Sequence, residues 1–241
     1  MLFAALAGLL LAGCAPERNT DDGPYEFSTR SRAVLSEPIP SARPAPVPPP
    51  PPAPENPPPA PPRQNPWLTR NARVEEYIGV YRASGLPLVL WGRAQAYLPY
   101  IREVFDAHGL PRELCLLPLV ESGFRPDART ARALGMWQLV EVTARDMGLA
   151  VGRARDDRAD WKRSTVAAAR YLQLLGRKFD GDWALVIAAY NAGPGEIQRA
   201  TEAQATRDFW RLSLRAEPMN YVPRFLAMLW VLREELPRGQ S

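Results

Sequence analysis

One carboxylate stands where chemistry could be done. In Leu114-Cys115-Leu116-Leu117-Pro118-Leu119-Val120-Glu121-Ser122-Gly123-Phe124, seven uncharged residues run straight into Glu121, and Ser-Gly-Phe follows at once. His108-Gly109-Leu110-Pro111 before it reads as a turn, with Pro111 suited to the first position of a helix. The stretch predicts a short helix that is apolar nearly all round and therefore buried, limited by Pro118 and ended near Gly123. A glutamate at the tip of such a helix sits at the edge of the core. Desolvation there disfavours the charged form and raises the pKa, as a general acid working near neutral pH requires. The same pattern also fits a glutamate that is merely the first exposed residue after a core helix.

Three further stretches carry polar groups in apolar settings. Gly135-Met136-Trp137-Gln138-Leu139 sets one amide among bulky residues, and an amide both donates and accepts, as sugar hydroxyl or acetamido groups require. It reads equally as a helix-start turn. Ile187-Ala188-Ala189-Tyr190-Asn191-Ala192-Gly193-Pro194-Gly195 ends an alanine-rich helix in Tyr-Asn and a Gly-Pro-Gly turn, which also fits an ordinary helix C-cap. Glu217-Pro218-Met219-Asn220-Tyr221-Val222-Pro223 opens the last helical segment and fits a cap too.

The elements that must position these groups are helical and almost free of strand signals. Apolar spacing predicts helices over Trp67–Ser84, stopping at Gly85, and over Leu88–Ala107 with an interruption at Pro99. Further helices are expected at Thr143–Met147, from a Ser164-Thr165 cap to Phe179, at Trp183–Ala192 behind Asp182, at Gly195–Ala203 and at Tyr221–Leu236. The fold class is all-α, in one domain over residues 67–241 with its core at about 86–236.

What precedes that domain is of another kind. Leu2 to Ala12 is an uncharged apolar run too short to span a bilayer, suited to an export signal, although no Lys or Arg stands before it. Leu11-Ala12-Gly13-Cys14 resembles the lipobox of bacterial lipoproteins. That resemblance implies a signal peptide over 1–13 and acylation of Cys14, and Ala15 after it implies the outer membrane. Residues 14–66 then read as a lipid-anchored, disordered tether. From Pro38 to Pro66 it is mainly Pro and Ala and holds most of the chain's 27 prolines. Extended, it reaches roughly 100–150 Å.

Composition excludes several classes. A lipid-bearing Cys14 leaves Cys115 without a partner, so no disulfide framework or zinc site is available, and neither metal nor cofactor is expected. Cys115 reads as a small core hydrophobe, and His108, the single histidine, as a solvent-facing helix terminus rather than a base. A net charge of +4 with scattered arginines, no basic run and no phosphate loop argues against a nucleic-acid partner and suits another anionic polymer equally well.

Glu-Ser-Gly-Phe, Gly-Met-Trp-Gln, Ala-Ala-Tyr-Asn-Ala-Gly and Asn-Tyr-Val-Pro, in this order and spacing over roughly Leu86 to Leu236, resemble the lytic transglycosylases of bacterial cell walls, of the soluble lytic transglycosylase and membrane-bound murein transglycosylase D-like kind. The resemblance implies a lysozyme-like, mostly helical domain with a glycan cleft, a member of the α+β lysozyme-like superfamily. It implies cleavage of the β-1,4 bond between N-acetylmuramic acid and N-acetylglucosamine with formation of a 1,6-anhydro ring, on the periplasmic side of the outer membrane. Carried over by position, Glu121 matches the catalytic acid/base and Ser122 its neighbouring hydroxyl, expected to orient the glutamate or the acetamido group. Met136, Gln138, Tyr190 and Asn191 match glycan-contacting positions, and Tyr221 matches the tyrosine that hydrogen-bonds the catalytic carboxylate. Two departures stand out: Glu217-Pro218-Met219 replaces a Glu-Thr-Arg type segment, and Met136 replaces a commoner leucine, a swap of similar volume. A hydrolytic muramidase, a glycan-binding module with little turnover and an envelope scaffold using the proline tether remain the alternatives.

Overall fold

The computed structural model describes residues 66–236; the expected signal peptide, Cys14 and the proline-rich tether lie outside them. Helix α1 (Ala72–Ser84) starts because the Asn71 side chain accepts from the Val74 amide at 3.2 Å, and it stops at Gly85, whose φ of +63° turns the chain. Trp67, expected inside this helix, sits in a separate 3-10 turn, Pro66–Leu68. The single interrupted helix expected over 88–107 is two, α2 (Leu86–Ala94) and α3 (Leu98–Ala107). The break falls at 95–97, not at Pro99. Pro87 and Pro99 both lie in first turns, where a missing N–H has no helical partner to lose.

After α3 a 3-10 turn (Arg112–Leu116) leads into one helical turn, α4 (Pro118–Glu121). Next come two-residue strands β1 (Ala133–Leu134) and β2 (Leu139–Val140), antiparallel with Leu134 opposite Leu139, and then α5 (Glu141–Asp146). Helices α6 (Trp161–Lys178), α7 (Trp183–Ala192), α8 (Pro194–Ala203) and α9 (Ala216–Glu235) complete the described chain. Trp183 to Ala189 are all buried, so α7 is the central helix, and α9 packs chiefly on α1 and then on α7.

Several local expectations are corrected. Asp160, not Ser164-Thr165, caps α6, accepting from the Lys162 and Arg163 amides at 3.0 and 3.1 Å. Ser164 and Thr165 fall in the first turn and are fully buried. Residues 217–223 do not cap the last helix but form its first turns. Pro218 is tolerated near the N-terminus, and Pro223 loses one internal bond in a segment where Tyr221, Val222 and Phe225 are buried. His108 is not solvent-facing. It is 3% exposed, with Nδ1 2.8 Å from the Val104 carbonyl oxygen, and its own carbonyl accepts from Gln173 of α6.

Candidate active site

Glu121 is presented by a sharp reversal of the chain. The Ser122 and Phe124 amides both donate to the Pro118 carbonyl, at 3.1 and 3.2 Å, closing α4. Gly123 and Phe124 are both left-handed, with φ of +62° and +59°. The phenyl ring holds this strained position through full burial and a stacked contact with Tyr97 at 6.2 Å. Arg93 of α2 donates to the Gly123 carbonyl at 2.6 Å and pins the turn from the other side.

The Glu121 side chain is only partly exposed, and Tyr221 of α9 donates its hydroxyl to Oε1. Burial pushes the carboxyl up to about 7; the Tyr221 hydrogen bond opposes this, the Glu217 charge adds to it, and the Arg224 charge subtracts. Tyr190 and Tyr221 are raised well above the ordinary phenol value, first by burial and then by the Glu121 charge. Both phenols are therefore neutral donors at neutral pH.

Ser122 does not orient the carboxylate. Its hydroxyl donates to the Met136 carbonyl at 2.7 Å and accepts from the Arg125 amide at 3.0 Å, stitching the Glu121 turn to the β1–β2 hairpin. The hairpin turn is built on Gly135, whose φ is +87° and where a Cβ would stand 1.8 Å from the Arg158 carbonyl oxygen, so no other residue fits. Met136 is fully buried, so its side chain has no surface to offer a glycan; it serves the site through its carbonyl. Gln138, itself left-handed at φ +47°, spends its amide N–H groups on the Ala128 and Gly135 carbonyls at 3.1 and 2.7 Å, leaving its amide oxygen to accept.

Tyr190 donates to the Trp137 carbonyl at 2.8 Å, tying α7 to the hairpin, and its ring lies 5.5 Å from that of Tyr171. The Asn191 side chain, half-buried, makes no hydrogen bond among the described residues and is the open amide of the group. Behind them the buried Trp137 indole donates to Thr165 Oγ1 at 2.9 Å, and that hydroxyl donates to the Trp161 carbonyl at 2.6 Å. Thr165, Tyr171, Arg158, Glu217 and Arg224 were not singled out as site residues. Their signal exists only once the helices are packed.

Among the described residues no group of His, Cys, Asp and Glu is placed to hold a metal. Burial pushes the Cys115 thiol up to about 12, so it stays protonated.

Residues 102–213 match the family of the transglycosylase SLT domain. The described residues are mostly helical, with one short two-stranded hairpin. It is 42% identical over 152 residues to the membrane-bound lytic murein transglycosylase D of Escherichia coli K12, covering 61% of this chain and 34% of that one. It is 32% identical over 135 residues to the membrane-bound lytic murein transglycosylase C of Haemophilus ducreyi, covering 50% and 37%. A solved lytic transglycosylase Slt from Pseudomonas aeruginosa superposes with a TM-score of 0.46 at 21% identity, over 58% of this chain and 24% of that one. The chain thus spans about a third of the length of these two curated relatives.

Proposed function

We propose that this chain is a peptidoglycan lytic transglycosylase in which Glu121 is both acid and base. The observation that carries the reading is a carboxyl pushed by burial to about 7 and held at Oε1 by Tyr221, which leaves Oε2 to carry a transferable proton at neutral pH. No second carboxylate is needed. Glu121 gives its proton to the glycosidic oxygen as the C1–O bond breaks, and the substrate's own acetamido oxygen closes on C1. The glutamate, now anionic, takes the proton of the muramic acid 6-hydroxyl. That oxygen bonds to C1, the acetamido group is released, and a 1,6-anhydro ring forms with no water consumed. Two-carboxylate glycosidases divide these duties between two side chains.

In this reading the Asn191 amide and the Gln138 amide oxygen hold the glycan, and Ser122 and Tyr190 keep the turn and hairpin that carry them in register with Glu121. Cys14 carries lipid and residues 14–66 tether the domain to the periplasmic face of the outer membrane, in keeping with the membrane-bound names of the two curated relatives. The test is digestion of purified peptidoglycan by wild type and Glu121→Gln, with products identified by mass. Anhydromuropeptides from wild type alone, one water lighter than hydrolytic products, are expected. Reducing-end muramic acid would make it a hydrolase, and binding without products from either protein would make it a glycan-binding module.

A further inference from the structure

One face of α9 carries more than Tyr221. Glu217 and Arg224 lie four residues before it and three after it, so all three side chains share a stripe along the helix. Arg224 is fixed in place: Nη2 donates to Glu217 Oε1 at 2.8 Å and Nε donates to the Asn220 carbonyl at 3.2 Å. Its side chain is 18% exposed and that of Glu217 42% exposed. The groups that act on the Glu121 carboxyl are Tyr221, Glu217 and Arg224 from α9, and the one from α7 on which its charge acts in return is Tyr190. Both tyrosines are neutral, so among the described residues the full charges that act on Glu121 are the two members of this ion pair.

We infer that the Glu217–Arg224 pair is a positioning element that sets the protonation of Glu121, with Glu217 neutralising a cation that would otherwise stabilise the Glu121 anion. The inference rests on Glu121 being the acid of the site. Its physical basis is that two opposite charges on the helix face that carries Tyr221 act on Glu121 in opposite senses, Glu217 raising its pKa and Arg224 lowering it. Each alone shifts a half-buried carboxyl, and the two oppose one another. Removing Glu217 frees Arg224 to draw Glu121 toward its ionised form. Removing Arg224 leaves an unpaired carboxylate that holds Glu121 protonated. The two substitutions therefore act in opposite directions, which loss of a merely structural salt bridge cannot do.

The experiment titrates Glu121 in four backgrounds of the full chain: wild type, Glu217→Gln, Arg224→Gln and the double variant. In each background the urea midpoint is compared with and without Glu121→Gln across pH 4 to 9, which reports the Glu121 titration whether or not the protein is active. The midpoint of that titration is expected to fall by about 0.5–1 pH unit in Glu217→Gln, to rise by a similar amount in Arg224→Gln, and to return near wild type in the double variant. Arg224→Lys, which keeps the charge, should titrate as wild type. In the pH–rate profile the same shifts correspond to about a 3- to 10-fold loss of rate for Glu217→Gln on the alkaline side. Shifts in the same direction, or titrations unmoved in folded variants, overturn the inference. Undiminished activity of Glu121→Gln would instead overturn the acid reading while leaving the titration result in hand.

Discussion

Replacing Glu121 by Gln removes a titration and almost nothing else, so its effect on stability measures how strongly the fold opposes ionisation of that carboxyl. The folded-state pKa is raised from 4.5 to about 7, so between these values the folded protein holds more protons than the unfolded chain. Stability tied to Glu121 is therefore fully present below pH 4.5 and is lost as pH rises through 7. A shift of that size corresponds to about 3 kcal/mol. A glutamine is neutral throughout and its amide oxygen still accepts from Tyr221, so the variant escapes the loss. The two proteins should have equal urea midpoints near pH 4. At pH 8.5 the variant should be more stable by about 2–3 kcal/mol, a midpoint higher by roughly 1–1.5 M for a domain of this size. A midpoint difference that stays constant across this range would refute the argument, because it would mean that Glu121 titrates as it does in water.

Other outcomes follow from single contacts. Gly135→Ala forces a Cβ to within 1.8 Å of the Arg158 carbonyl oxygen and should cost about 3 kcal/mol or more, lowering the melting temperature by roughly 6–12 °C in a thermal scan. Thr165→Val keeps the volume but leaves the buried Trp137 indole N–H without its acceptor, so the urea midpoint should fall by an amount equivalent to about 1–3 kcal/mol. Tyr221→Phe removes the one hydrogen bond that favours the Glu121 anion, so the alkaline limb of the pH–rate profile should move upward while the rate below it falls about 10-fold or more.

The helices were legible wherever a cap or a glycine marked a boundary, as at Gly85 and Asp182, and Glu121 was legible because a carboxylate ended an uncharged run. The hairpin was not. Its strands are two residues long, too short for any alternation, and its turn is dictated by the Arg158 carbonyl, which arrives from a distant loop. Pro218 and Pro223 made the start of α9 read as a cap. With the helix begun too late, the stripe of Glu217, Tyr221 and Arg224 could not be seen. Ser122 and Met136 meet in the fold through groups that their residue types alone do not point to. Sequence reveals a hydroxyl and a thioether, whereas the fold uses that hydroxyl and the Met136 main-chain carbonyl to join two segments. His108 was misread because its cover, Gln173, lies far along the chain.

The most direct test of Glu121 as the acid is the pH dependence of kcat/KM for release of anhydromuropeptides by the wild-type chain. The carboxyl must be protonated in the free enzyme, so the profile should fall by about tenfold per pH unit above a midpoint near 7, with Glu121→Gln inactive throughout. A rate that holds level or climbs through pH 7 to 9 would contradict the account, since the proton would then come from another group.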